Sequence, residues 1–457
     1  MIDDSPAADT TIHGEIRRPL SVSERWYWIC DQIAPLNVVA RVRLSGDLPE
    51  ETLRGAAAAL AREQPLLRAG IATRPDGTAP AFVAPADPRL PVRVVAGDET
   101  AWEREVDHEL ATPLPGATRP LLRVTDVRHG PADGQTHDVI VTVSHVIADG
   151  TAALTLLRRL VELAAAPGSD RPRRPVPSLN AVLPRAFRGP WGLTYAVGTG
   201  LVDQALTLVR RPQRLRPQAE PASSDRRSRL LHRELSGDQT RALTAQCRAA
   251  GATVHGAIVA ALARAYGRVV APDAHGRVGI GSPVDLRGEL VPPVAAEDAG
   301  VYVGILPTYP GYGPGADLWD VARGVNRELM RRKRFRQHLA QIAGQPLICP
   351  DSVASSRRFV EFLDAHGPGN ICVSNIGRYD FPDRIADWRL SGAQFIAGIS
   401  VSGLLVASVN TSHDALQMNV TYVEGLVTVE RATRIADEAL RVLTTALEHP
   451  VSVASRK

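Results

Sequence analysis

Residues 144–150 read Ser144-His145-Val146-Ile147-Ala148-Asp149-Gly150, and what flanks them gives the stretch its meaning. Before it runs Val139-Ile140-Val141-Thr142-Val143, a short apolar and β-branched run suited to a buried strand. After it, Thr151-Ala152-Ala153-Leu154 starts a helix. His145 therefore stands where a buried strand ends. Such a position fixes the ring, buries it in part and leaves access to a reacting proton, which are the requirements of a general base. Imidazole titrates at about 6.5, so no large shift is needed for it to accept a proton near neutral pH. Asp149, across a tight turn that Gly150 eases, either contacts the ring or turns away to brace the loop; the spacing leaves both open. The same residues also suit a core histidine before an ordinary Asp-Gly helix entry. A second copy of the pattern, His129-Gly130-Pro131-Ala132-Asp133-Gly134, consists of turn formers in polar surroundings and reads as a hairpin loop.

Around this stretch lie 457 residues, too many for one ordinary core, so two domains are expected. With 44% hydrophobic and 22% charged residues the composition is globular. The net charge of +4 is too small for so long a chain to argue for nucleic acid. Lysine occurs only at Lys333 and Lys457, which argues against a lysine nucleophile or Schiff base. Cys30, Cys247, Cys349 and Cys372 are widely spaced and form no C-x-x-C pair, so neither a disulfide framework nor a metal site is expected. The acidic N-terminus lacks the basic and apolar regions of a signal peptide, and a cytoplasmic protein is expected. Residues 191–209 are apolar but carry Asp203, Gln204 and glycines, favouring a buried or surface-lying helix over a membrane span.

Element by element, Ser21 and Glu24 fit a capping box opening a first helix. Residues 37–44 alternate as a strand with an exposed polar face, and residues 49–63 space Leu53, Ala56, Ala57 and Leu60 as a helix. Strands follow at 67–73, 81–84 and 92–96, a helix at 99–110, a strand pair at 121–127 and 138–143, and a helix at 151–165. Residues 167–228 form a Pro- and Arg-rich linker holding one or two helices. Beyond it come a strand at 229–235, helices at 238–249 and 253–270, a strand at 278–282, and one helix at 318–342. Strands at 370–374, 393–400, 404–410 and 418–422 and a helix at 428–447 complete the chain. The expectation is a mixed α/β protein with an N-terminal lobe 1–166, the linker 167–228 and a C-terminal lobe 229–457.

The segment Val143 through Gly150 resembles the signature of the His-x-x-x-Asp acyltransferases: chloramphenicol acetyltransferase, alcohol acetyltransferases, plant and polyketide-associated acyltransferases, and condensation domains of nonribosomal peptide synthesis. Further matching pieces are Leu20-Ser21-Val22-Ser23-Glu24-Arg25, Glu63-Gln64-Pro65-Leu66-Leu67-Arg68, Thr253-Val254-His255-Gly256-Ala257, Pro283-Val284-Asp285-Leu286-Arg287 and Val373-Ser374-Asn375-Ile376-Gly377. The resemblance implies two chloramphenicol-acetyltransferase-like lobes in a V, with a tunnel between them and His145 at its middle. It implies a general base at His145 and a structural pair of Asp149 with Arg287 that holds the loop, since a buried carboxylate needs such a partner.

Relatives often carry a second His where this chain has Ser144, and the late Asp-Phe-Gly-Trp-Gly motif is absent. This weighs towards the ester-forming, polyketide-associated and alcohol branches, and leaves Ser144 and Asn375 as candidate oxyanion or substrate contacts. Arg331, Arg332, Lys333 and Arg334 read as a solvated helix face; if functional, they would dock a CoA phosphate, an acidic carrier protein or anionic lipid. By resemblance the chain is a stand-alone acyltransferase of lipid or natural-product biosynthesis, a monomer without bound cofactor or metal. Acyl-CoA or acyl carrier protein would be its donor, and a small-molecule or lipid alcohol its acceptor. Peripheral membrane contact is open. The alternatives are an amide-forming condensation enzyme, or an inactive relative that binds a carrier protein or lipid. The absence of P-loop, H-E-x-x-H and G-x-S-x-G patterns argues against nucleotide hydrolysis, zinc proteolysis and serine-esterase chemistry.

Overall fold

The computed structural model describes residues 10–12, 15–114, 116–130, 135–175, 177–219 and 225–448. The apolar run before His145 forms the strand Thr136–Ser144, every residue of which after the first is buried. It pairs antiparallel with Asn37–Ser45 on one side and with Leu122–His129 on the other. Among the described residues these strands belong to a six-stranded mixed sheet, ordered Arg384–Ile385, Trp388–Ala397, Asn37–Ser45, Thr136–Ser144, Leu122–His129, Val92–Ala96. The helices Gly150–Ala165 and Ala101–Ala111 pack against the sheet, and Glu50–Glu63 packs on Gly150–Ala165. Leu53, Ala56, Ala57 and Leu60 are buried as their helical spacing requires.

A second sheet, six-stranded among the described residues, is ordered Val303–Thr308, Ile280–Asp285, Ile371–Arg378, Leu405–Ser412, Ala415–Glu424, Arg227–Leu235. Its core includes the Ala-rich helix Val254–Val270, capped at Thr253, whose hydroxyl accepts from the Gly256 amide. The fold is thus two mixed lobes, each with its own core. Trp388–Ala397 crosses between them. Although late in sequence, it pairs antiparallel with Asn37–Ser45 and completes the first lobe's sheet.

Several elements depart from the sequence expectations. The strand at Asn37–Ser45 forms, but Arg41 is buried rather than solvent-facing, because helices cover both faces of this interior strand. Arg41 contacts Asp138 and lies with its Cζ 4.5 Å from the centre of the Trp102 ring. Arg43 reaches the other Asp138 oxygen at 3.0 Å. His129, expected in a hairpin turn, is instead the last residue of its strand, with Nε2 3.2 Å from Asp138; residues 131–134 lie outside the described residues. The region 67–73 divides into a 3-10 turn at Pro65–Arg68 and a short strand at Gly70–Ala72. The single helix expected over 318–342 is two helices, Leu318–Arg334 and Gln337–Ile348, broken where Arg336 takes φ +50°. The linker carries a short helix at Leu179–Val182 and a long one at Gly189–Arg210.

Candidate active site

His145 is the first residue past its strand, and the turn that carries it is closed locally. Its amide donates to the Leu36 carbonyl at 3.0 Å, and the Ile147 amide donates to the Ser144 carbonyl at 3.1 Å. Ser144 Oγ accepts from the Val146 amide at 3.3 Å. Ser144 is fully buried, and its side chain braces the turn and is not on the wall of the cavity described below.

The imidazole lies with Nδ1 2.9 Å from the Ala148 carbonyl oxygen. A carbonyl can only accept, so Nδ1 carries the hydrogen, and in the neutral ring Nε2 is left as an unprotonated acceptor. The Tyr27 ring packs on the imidazole, with centroids 4.6 Å apart and planes tilted by 37°. Burial pushes the His145 pKa below its ordinary 6.5, against the opposing pull of the Asp149 charge and the Ala148 carbonyl. The neutral, proton-accepting form therefore persists to lower pH than in free histidine.

Asp149 turns away from the ring. Its Oδ1 caps the helix Gly150–Ala165 by accepting from the Ala152 amide at 3.0 Å, and also accepts from Arg287 Nη2 at 3.1 Å. Oδ2 accepts from the Tyr302 amide at 3.1 Å and lies 2.9 Å from Arg287 Nη1. Burial alone would raise the Asp149 pKa, but the Arg287 charge and hydrogen bonds, with the two amides, hold it below 3.8. Arg287 follows the strand Ile280–Asp285 and is itself buried, its Cζ 5.1 Å from the centre of the Tyr302 ring. This doubly bonded pair joins the two lobes directly beneath the histidine turn.

Gly150 departs from its expected role. Its φ is not positive, and the constraint is space: a Cβ there would lie 2.5 Å from the Phe395 ring of the crossing strand Trp388–Ala397.

His145 lines a cavity of about 1010 Å³ whose wall is shared by both lobes and the linker helix. Val38 and Tyr27 come from the first lobe, Asp285 and Asn375 from the second, and Ala196 and Thr207 from Gly189–Arg210. Asn375 stands at a bulge in Ile371–Arg378, and its Oδ1 accepts from the Gly377 amide at 2.8 Å. Its Nδ2 has no hydrogen-bond partner among the described residues. Cys30 and Cys372 also line the cavity, but burial holds Cys30 well above its usual range and lifts Cys372 to about 12, so both are thiols at neutral pH.

The basic cluster is not one solvated face. Arg332 is turned inward, 1% exposed, with Nη1 2.7 Å from Asp203 and 2.9 Å from Gln337 Oε1. Its neighbours Arg331, Lys333 and Arg334 are exposed, and Lys333 lines the cavity. Arg332 could not be told from them by sequence, since its partner Asp203 lies 129 residues away. Tyr27 escaped notice too, because the run Trp26-Tyr27-Trp28 gives no hint of which ring meets His145. The Tyr302 contribution is a backbone amide and has no side-chain signal at all.

Residues 224–422 match the family described as phthiocerol/phthiodiolone dimycocerosyl transferase C-terminus. No curated protein sequence matches the chain significantly. Among solved structures, the fold is similar to polyketide synthase associated protein 5 of Mycobacterium tuberculosis, with TM-score 0.65 and 18% identity over 94% of this chain and 98% of that one. It is similar also to the TRI3 trichothecene 15-O-acetyltransferase of Fusarium sporotrichioides, with TM-score 0.73 and 13% identity over 95% and 97%. The first condensation domain of the calcium-dependent antibiotic synthetase aligns with TM-score 0.69 and 17% identity over 97% and 99%. The chain thus has the two-lobed fold of these acyltransferase and condensation-domain structures, and its residues 224–422 match the family described as the phthiocerol/phthiodiolone dimycocerosyl transferase C-terminus.

Proposed function

We propose that the chain is an acyltransferase of lipid or natural-product biosynthesis that moves an acyl group from a CoA or carrier-protein thioester to a hydroxyl, with His145 as general base. One observation carries the reading: Nδ1 donates to the Ala148 carbonyl, so the neutral ring presents a bare Nε2 on the wall of a cavity that both lobes line. In this reading Nε2 takes the hydroxyl proton as the acceptor oxygen attacks the thioester carbonyl. The tetrahedral intermediate collapses by breaking its carbon–sulfur bond, and the imidazolium returns the proton to the departing sulfur, releasing an ester and a free thiol. The free amide hydrogens of Asn375 are the donors assigned to the developing oxyanion. Asp149 and Arg287 act through the loop, as positioning residues.

The two cavity-lining thiols, both held protonated, offer no competing thiolate nucleophile, which supports direct transfer without a covalent intermediate. Thiol release from a series of acyl-CoA donors, followed with panels of alcohols and of amines, tests the reaction class. Alcohol-dependent release with an ester detected by mass spectrometry is expected. Release supported by amines alone would overturn the hydroxyl acceptor.

A further inference from the structure

The linker helix Gly189–Arg210 has two faces that do different things. Ala196, Thr199, Gly200, Asp203 and Thr207 recur at helical spacing and line the cavity. The opposite stripe is apolar and open to solvent: Trp191 is 83% exposed, Leu201 67%, Leu208 73% and Val209 81%. Between Gly189 and Val209 the only charged side chain is Asp203, and it pairs inward with Arg332 at 2.7 Å. A contiguous exposed stripe of this kind marks a surface that meets something apolar.

The surroundings say what. Exposed Arg185 precedes the helix and exposed Arg211 follows it. The Tyr195 hydroxyl donates to the Phe335 carbonyl, which brings the end of Leu318–Arg334, with exposed Arg331, Lys333 and Arg334, against the same helix. None of these five cations has a carboxylate partner among the described residues. Phe335, 54% exposed, continues the apolar surface beside them. An apolar stripe rimmed by unpaired cations, with Trp191 and Tyr195 near one end, complements the headgroup and acyl boundary of an anionic bilayer. No helix among the described residues is long and apolar enough to cross a membrane, so this one would lie along the surface.

We propose that the helix Gly189–Arg210 and the basic end of Leu318–Arg334 dock the protein on an anionic lipid bilayer, with the cavity directly behind the docked helix. Flotation of the full-length protein with vesicles of phosphatidylcholine, alone or mixed with phosphatidylglycerol, tests this. Strong flotation only with the anionic vesicles, weakened by salt, is expected. The double variant Leu201→Glu, Leu208→Glu should lower partitioning at least about tenfold, since two exposed anchors are lost. Arg331→Glu with Arg334→Glu should abolish the preference for phosphatidylglycerol. Neither leucine lines the cavity, so thiol release with a water-soluble acceptor should be unchanged in the first variant. Absence of flotation with anionic vesicles, or undiminished flotation of the leucine variant, would overturn the proposal. So would a dimer that dissociates in that variant without any flotation, since a second copy would then be the occupant. Each of these failures leaves the acyl-transfer reading standing.

Discussion

His145 owes its usefulness to a single backbone acceptor. The Ala148 carbonyl selects the tautomer, and burial favours the neutral ring, which is the form the proposed general-base role requires. Because its pKa is depressed, the base form is lost only as pH falls through a value below 6.5. The acid limb of kcat/KM should therefore have its midpoint below 6.5, and a midpoint at or above that value would contradict the environment described. Asp149→Asn is the complementary test. Whichever way the amide turns, its NH2 faces donors: Tyr302 N and Arg287 on one side, Ala152 N and Arg287 on the other. Arg287 then keeps only the half-exposed Asp285 carboxylate, 3.3 Å from Nη1, and breaking a buried pair of this kind costs up to about 3–5 kcal/mol. A markedly lower unfolding temperature is expected by scanning fluorimetry, and an unchanged one would refute the bracing role. The strand-end setting of His145 was readable from its apolar approach run. The orientation of Asp149 was not readable from the local spacing, because its partners lie 138 and 153 residues away, and only the family resemblance implied its pair with Arg287.

Among the elements, the histidine turn is clamped by the helix it opens and by the strand that crosses from the other half of the chain. Gly150 begins that helix under the Phe395 ring, with no room for a methyl group. Gly150→Ala should destabilise the protein by about 1–3 kcal/mol, as overpacking of a tight site does. Truncating the ring as well, in Gly150→Ala with Phe395→Leu, should recover part of the loss; equal losses in the single and double variants would show that the contact is not the cause. Helices with clear caps and periodicity were legible, as Ser21 and Glu24 illustrate by forming the expected capping box. Val303–Thr308 was missed because Gly304 and Pro307 interrupt the strand pattern, although it pairs along its full length with Ile280–Asp285. The break at Arg336 was hidden because a non-glycine residue takes the left-handed conformation there, and the sequence 318–342 stays helix-like across it.

At the scale of the molecule, two cores built from separate stretches of chain are tied by the Asp149 and Arg287 pair and by the exchanged strand Trp388–Ala397. A chain read in order assigns that strand to the second half, since register across lobes is set by tertiary pairing and leaves no local mark. The cavity is enclosed by the lobes and the linker helix together, and under the proposed function it would hold the reacting groups of a donor and an acceptor beside one histidine. The most direct test of this account is the rate of acceptor-dependent thiol release from an acyl-CoA by the full-length protein and by its His145→Ala variant. General-base catalysis predicts a loss of about 10² to 10⁴ in the variant, with folding intact. Transfer that proceeds undiminished without the imidazole would contradict it.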